Sequence, residues 1–143
     1  MQKIHYLIIT VVSVSTIVLS CTKVGASEEE NLDAVDLGDK VLPVITVSKP
    51  TANQVYVSND SIIVQGKATD DRVVYKGKVL ITNDATNAIV AESYYESHSL
   101  NSIDFRLAYK PAVTVPTDFS VFIEFQDHGL NTVSAAIKVK VNP

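Results

Sequence analysis

Apolar and polar side chains alternate along three stretches of the chain: residues 102–110, 118–126 and 131–142. In the second stretch, for example, Phe119, Val121 and Ile123 occupy every other position. A period of two residues places one set of side chains in a core and the other set in solvent, as in an antiparallel sheet. An amphipathic helix would need a period near 3.6 residues instead. The pattern therefore predicts an all-β domain.

Five shorter runs rich in β-branched and aromatic residues precede these stretches, at residues 44–47, 54–57, 61–68, 73–82 and 88–96. Turn-forming residues separate the runs, among them Pro50 and the adjacent pair Asp70 and Asp71. Gly77 interrupts the fourth run and predicts a β-bulge there. Seven or eight short strands separated by turns are typical of an antiparallel β-sandwich, which we expect at residues 43–143.

The start of the chain has the features of a secretion signal. Lys3 precedes a run, residues 4–19, that is rich in Ile, Leu and Val and has no charged residue. The run is short for a transmembrane helix, which needs roughly 20 apolar residues, and it fits the apolar region of a signal peptide. Its last residues, Val18 and Leu19, are followed by Ser20 and by Cys21, the only cysteine of the sequence. These residues resemble the lipobox of bacterial lipoproteins. The alternative is an ordinary secretory signal or an uncleaved anchor with an incidental cysteine.

The lipobox resemblance implies that residues 1–20 are a removed signal peptide and that a lipidated Cys21 anchors the protein to a membrane. Residues 21–42 then comprise this cysteine and an acidic tether with three consecutive glutamates at positions 28–30. Such a stretch cannot bury enough apolar surface to order itself. An acidic run after the lipidated cysteine resembles the surface-export signals of some Gram-negative lipoproteins. We therefore expect a lipid-anchored protein at the outer membrane or cell surface.

Two segments carry a more specific resemblance. Residues 61–71, with Gly66, Thr69, Asp70 and Asp71, resemble the "strand, Gly, small, Thr-Asp-Asp" segment of bacterial immunoglobulin-like modules. Residues 119–141 resemble their closing hairpin, although Leu130 follows Gly129 where those modules have Asn after Gly. The chain is thus similar to small one-domain bacterial Ig-like lipoproteins, a group mostly of unknown function. The resemblance implies an immunoglobulin-like antiparallel β-sandwich of 7–8 strands and no particular activity.

Composition and motifs exclude several functions. The formal net charge of -4 argues against a nucleic-acid binder, which normally has a basic surface. One cysteine excludes an intrachain disulfide framework and a cysteine-rich zinc site. The sequence contains no Gly-x-Ser-x-Gly, no His-Glu-x-x-His and no phosphate-binding glycine loop. We interpret His98 and His128 as turn residues, and we expect no catalytic residues and no enzymatic activity.

Calcium is the one metal that the sequence suggests. In an Ig-like sandwich the loops that hold Asp70, Asp71 and Asp127 share one pole. Three carboxylates with backbone carbonyls would suit Ca²⁺, which takes six to eight oxygen ligands. The alternative is that these aspartates only stabilise turns by accepting backbone hydrogen bonds.

Tyr94 and Tyr95 are the candidate ligand-binding residues. They are adjacent, so one of them faces outwards on a strand, and exposed aromatic rings stack on sugars or fill protein interfaces. We therefore expect a non-enzymatic binding, adhesion or structural module. The alternative is an accessory carbohydrate-binding lipoprotein of a sugar-uptake system. The expected partners are the membrane, through Cys21, and a protein or glycan.

Overall fold

The computed structural model describes residues 35–143; the expected signal peptide, Cys21 and most of the tether lie outside the described residues. Eight strands follow one another along the chain: β1 (Val44–Lys49), β2 (Gln54–Val57), β3 (Ile62–Thr69), β4 (Val74–Asn83), β5 (Ala88–Glu96), β6 (Ser102–Tyr109), β7 (Thr117–Asp127) and β8 (Thr132–Asn142). The predicted runs agree with these bounds to within two residues, because turn-forming residues end the strands.

The strands form two facing sheets. One has the order β1-β3-β6, and the other has the order β2-β8-β7-β4-β5. All pairs are antiparallel except β2, which runs parallel to β8. This arrangement is an immunoglobulin-like β-sandwich, so the predicted fold class is confirmed. Between residues 35 and 143, no helix is long and apolar enough to cross a membrane.

The alternating apolar residues fill the space between the sheets. The fully buried side chains with the largest volumes are Phe105, Phe119, Phe125, Ile62, Ile81, Ile123, Val64, Val74, Val79, Val121, Val139 and Val141. At the centre, the rings of Phe105 in one sheet and Phe125 in the other lie 5.5 Å apart. Burying a large apolar side chain contributes roughly 1.5–3 kcal/mol, so this set supplies the core of the domain without a disulfide.

Each of these two phenylalanine rings packs over a glycine. Gly66 in β3 is paired with Phe105 in β6, and Gly77 in β4 is paired with Phe125 in β7. A Cβ atom at either glycine would overlap the ring of its partner. The predicted bulge at Gly77 is therefore wrong: the register of β4 against β7 shifts between Val74 and Lys76 instead. Gly77 is a position of close ring packing, which an isolated glycine in a strand also signals.

The end of the sandwich at which β1 begins will be called the N-terminal pole. It consists of the segment 35–43 and of the loops 70–73, 97–101 and 128–131. Pro143 follows β8 at the opposite end. Part of the expected tether is fixed at this pole, because the Asp36 amide donates to the His128 carbonyl oxygen at 2.9 Å and Asp39 is buried. The turn at residues 36–39 provides these contacts, and composition alone did not indicate them.

The Gly77→Ala substitution tests the ring packing. We expect it to destabilise the domain by about 1–3 kcal/mol, because the added methyl group has to displace the Phe125 ring. Thermal unfolding followed by circular dichroism measures this as a drop of roughly 4–8 °C in Tm per kcal/mol. Gly38→Ala, at an exposed position, is the control and should change Tm far less. Equal effects of the two substitutions would refute this account of the core.

Candidate functional site

A groove on the outer face of the five-stranded sheet is the first candidate site. It encloses about 430 Å³ and will be called the sheet groove. Its lining residues come from β4, β5, β7 and β8: Lys76, Gly77, Lys78, Tyr94, Tyr95, Glu96, Glu124, Gln126 and Thr132. Period-two alternation brings most of them to one face, since outward positions of neighbouring strands stand side by side.

The two adjacent tyrosines of β5 have different environments. Tyr94 projects outwards, is 67% exposed and donates a hydrogen bond to Glu92 at 3.0 Å. Tyr95 is paired with Gly77, and its ring lies 5.8 Å from that of Phe125. The Tyr95 hydroxyl donates to the carbonyl oxygen of Arg106 at 3.1 Å and accepts from its amide at 2.9 Å. Tyr95 therefore links the two sheets, and Tyr94 is the more exposed of the two tyrosines.

Charges of both signs lie beside Tyr94 in the sheet groove. Lys78 is paired with Tyr94 across the strands, and its ammonium group lies 2.8 Å from a carboxylate oxygen of Glu124. The same ammonium group lies 5.6 Å from the centre of the Phe122 ring, within cation–π range. The groove thus offers an exposed aromatic ring together with carboxylate, ammonium and amide groups that could bind a polar ligand.

A cluster of carboxylates at the N-terminal pole is the second candidate site. Asp39, Asp70 and Asp127 each place an oxygen within 4.8 Å of the others. Two of these residues, Asp70 and Asp127, belong to the predicted calcium ligands. The third predicted ligand, Asp71, lies outside the cluster with an exposed side chain, and Asp39 from segment 35–43 stands in its place.

Two of the carboxylates stabilise the turns that carry them. Asp39 Oδ1 accepts the Val41 amide at 3.0 Å. Asp70 Oδ1 accepts the Arg72 amide at 2.9 Å. Both are hydrogen bonds to the residue two positions further on, the usual role of aspartate in a turn. The turns thus explain why aspartate stands at positions 39 and 70. They do not explain why three carboxylates lie within 4.8 Å of one another.

Asn131 joins the third carboxylate to the N-terminal segment. Asp127 accepts hydrogen bonds from both the amide and the side chain of Asn131, each at 2.8 Å. The same Asn131 side chain lies 3.2 Å from the carbonyl oxygens of Asp39 and Val41, to which it donates. Sequence reasoning assigned no role to Asn131 or Asp39. The signal that could have found Asn131 is its place in the closing-hairpin motif.

The environment of Asp70 disfavours its charged form. Burial is the largest cause that raises the pKa of the Asp70 carboxyl above its ordinary value, and the hydrogen bond from the Arg72 amide opposes it. Nearby charges raise the pKa further, in the order Asp127, Asp71 and Asp39. Within the described part of the chain, no group donates a hydrogen bond to the buried Asp70 Oδ2. A proton or a cation would relieve this repulsion.

The two histidines pack into an aromatic cluster near this pole. The ring of the buried His128 lies 4.6 Å from that of Tyr75 and 5.5 Å from that of His98. His98 Nε2 also lies 3.5 Å from a Glu96 carboxylate oxygen. These contacts give both residues a role in packing the loops 97–101 and 128–131, as expected for residues next to turns.

No known family profile matches the chain, and no curated protein matches it in sequence. Structures with a similar fold include the fibronectin(III)-like modules of CbhA from Clostridium thermocellum, at 12% identity and a TM-score of 0.44 over 68% of this chain and 94% of that one. Murine CRIg is similar at 9% identity and a TM-score of 0.39, over 71% of this chain and 98% of that one. A superoxide reductase (neelaredoxin) from Ignicoccus hospitalis is similar at 13% identity and a TM-score of 0.36, over 69% and 80%. The fold class follows from the strand order and does not depend on these similarities.

The Asp70→Asn substitution tests the electrostatics of the carboxylate cluster. Because the pKa of Asp70 is raised in the folded state, the protonated carboxyl stabilises the fold. This contribution to the free energy of unfolding is fully present below the unfolded pKa, and it is lost as the pH rises through the folded pKa. At neutral pH with EDTA, we therefore expect Asp70→Asn to raise Tm, and we expect the gain to vanish in acid. Asp71→Asn removes the same charge from an exposed side chain and is the control. A rise in Tm for Asp70→Asn that is no larger than the rise for Asp71→Asn would contradict the proposed repulsion at Asp70.

The calcium prediction is decided in the same measurements. If the cluster binds Ca²⁺, millimolar calcium raises the Tm of the native protein, and Asp70→Asn removes that rise. If the aspartates only stabilise turns, calcium leaves both Tm values unchanged.

Proposed function

We propose that this protein is a non-enzymatic, lipid-anchored lipoprotein of the Gram-negative envelope, at the outer membrane or cell surface, with an Ig-like domain that serves as a binding, adhesion or structural module. One observation carries the proposal: the only cysteine of the chain, Cys21, stands where the apolar run of the signal peptide ends. Acyl chains on this cysteine would hold the protein at a membrane, since each buried methylene contributes about 0.8 kcal/mol.

The geometry of the domain supports a display role. The chain reaches the sandwich at the N-terminal pole, so an anchor at Cys21 would leave the opposite pole and the outer face of the larger sheet accessible. The sheet groove is on that outer face, and it has an exposed aromatic ring next to charged groups. Aromatic rings of this kind are common at the centre of binding surfaces.

A second candidate function is carbohydrate capture beside a sugar-uptake system. The observation that favours it is the exposed ring of Tyr94, with the polar groups of Glu124, Gln126 and Thr132 in the same groove. Sugars stack on aromatic rings and hydrogen-bond to carboxylates and amides at the edge of the ring. Tyr95 also lines this groove, but its ring packs against Phe125 and is less exposed than that of Tyr94.

The Cys21→Ala substitution tests the anchor. In cells given a radiolabelled fatty acid, we expect the native protein to carry the label and to float with membranes. The Cys21→Ala protein should lose both properties because it has no other cysteine. Ser20→Ala keeps a small residue before the cysteine and should retain the label. A native protein without label, or a labelled Cys21→Ala protein, would contradict the proposal.

The Tyr94→Ala substitution tests carbohydrate capture. On an array of bacterial and host glycans, we expect the native protein to retain a subset of sugars and Tyr94→Ala to bind them about tenfold more weakly or worse. Tyr94→Phe keeps the ring and loses only the hydrogen bond to Glu92, so it should retain binding. Ile89→Ala, at another exposed position of β5, is the matched control. Absence of glycan retention by the native protein would exclude this second function and leave the first.

A further inference from the structure

The exposed leucines of the described chain all lie at the N-terminal pole. They are Leu37, Leu42, Leu100 and Leu130, each about half exposed or more. Three of them stand in separate segments of the pole: Leu37 in segment 35–43, Leu100 in loop 97–101 and Leu130 in loop 128–131. Val35 is exposed in the same first segment. Exposed apolar residues also occur elsewhere on the domain, but the leucines are concentrated at this pole together with Val35 and Val41. Such a concentration marks an interaction surface.

The backbone at Leu130 makes this arrangement more unusual. Leu130 has a φ of 65°, in the left-handed region. The other non-glycine residues with positive φ in the described chain are asparagines, which tolerate this region: Asn53, Asn59 and Asn87. A large apolar residue at such a position is unfavourable for the backbone, and here its side chain is also 48% exposed. A backbone outlier whose apolar side chain stays half in solvent points to a contact outside the domain.

Hydrogen bonds hold these segments together as one surface. The Asp36 amide donates to the His128 carbonyl oxygen at 2.9 Å, which places Leu37 beside loop 128–131. The Val74 amide donates to the carbonyl oxygen of Leu100 at 2.9 Å. The His128 amide donates to the Val73 carbonyl oxygen at 3.4 Å. The loops are therefore fixed relative to one another, and the leucines at their tips form a preorganised set.

Two of the acidic groups beside Leu37 are neutralised or buried. Asp36 forms an ion pair with Arg72, and Asp39 lies beneath the surface. The Lys40 ammonium group donates to the Leu37 carbonyl oxygen at 2.9 Å, so it lies beside the leucines. The exposed Asp71 and Arg72 carry opposite charges. The pole keeps an excess of negative charge through Asp70, Asp71 and Asp127, so a lipid without net charge is the surface that it can approach most closely.

We propose that the leucines at this pole insert into the lipid leaflet that holds the anchor, so that the domain docks upright on the membrane. This inference rests on the proposed lipidation of Cys21. Thirteen residues separate Cys21 from Val35, and even fully extended they would reach only about 45–50 Å. An anchor at Cys21 would thus keep this pole near the bilayer, so lipid is the apolar phase within reach of the leucines. Apolar side chains at such a surface enter the leaflet by roughly 5–10 Å.

A single tryptophan provides the test, because the chain has none. Ser99→Trp places the probe next to Leu100 at the N-terminal pole, and Asn142→Trp places it at the opposite end. The protein is attached to phosphatidylcholine vesicles, and its emission is recorded with and without brominated phosphatidylcholine. We expect the Ser99→Trp emission to shift to shorter wavelength and to be quenched by the brominated lipid. The Asn142→Trp emission should change in neither respect.

Leucine substitutions in the Ser99→Trp protein supply the matched variants. Leu37→Ser, Leu100→Ser and Leu130→Asn are made together, and each should weaken docking on the order of tenfold. The combined variant should be quenched as little as Asn142→Trp. Its Tm should not fall, because the side chains are exposed and asparagine tolerates the backbone of position 130. Quenching that persists in this variant would overturn the proposal.

Other outcomes separate the remaining possibilities. The docking proposal is overturned if the Ser99→Trp protein has the same emission on vesicles as in solution. A shift that grows with protein concentration without vesicles overturns it in favour of a second copy of the chain. Flotation of the protein made in cells decides lipidation separately. If lipidation fails, the protein is coupled through Cys21 to a maleimide lipid, and quenching still decides whether this pole docks.

Discussion

The contact between Phe105 and Phe125 is the interaction on which the sandwich depends. Each ring comes from a different sheet, and each packs over a glycine of the neighbouring strand, Gly66 or Gly77. The absence of a Cβ atom at the two glycines lets each ring lie over its glycine, and the two rings meet at 5.5 Å. Tyr95 extends this packing to the sheet edge through its contact with Phe125. Two residues that line the sheet groove, Gly77 and Tyr95, therefore also pack against the core.

The N-terminal pole has a different physical basis. Polar contacts organise it: Asn131 connects Asp127 with the backbone of segment 35–43, and Asp36 is hydrogen-bonded to the His128 carbonyl. Carboxylates that stabilise individual turns are brought close together there. Burial is the largest cause that raises the pKa of Asp70, and the neighbouring carboxylates raise it further. The same loops carry exposed leucines at their tips. A proposed membrane contact and a rigid polar base thus occur at one end of the domain.

Much of the fold was predictable because period-two alternation is a local property. The inward positions of β7 and the turn residues between strands can be recognised without knowledge of the partner strands. The candidate sites were less predictable. Asp70 and Asp127 could be placed together by analogy with the fold, but Asp39 joins them only because segment 35–43 folds back over loop 128–131. Which of two adjacent tyrosines faces outwards depended on the register of β5 against β4.

The sequence alone determined the all-β class, the strand positions and the place of Cys21 at the end of an apolar run, since each of these is encoded in a continuous stretch. Only the tertiary structure decided that Tyr94 is exposed while Tyr95 joins the sheets, that Asp39 replaces Asp71 in the carboxylate cluster, and that the exposed leucines share one pole. These features depend on contacts between residues distant in the chain. Strand register and loop packing set such contacts, and neither can be deduced from one continuous stretch of sequence.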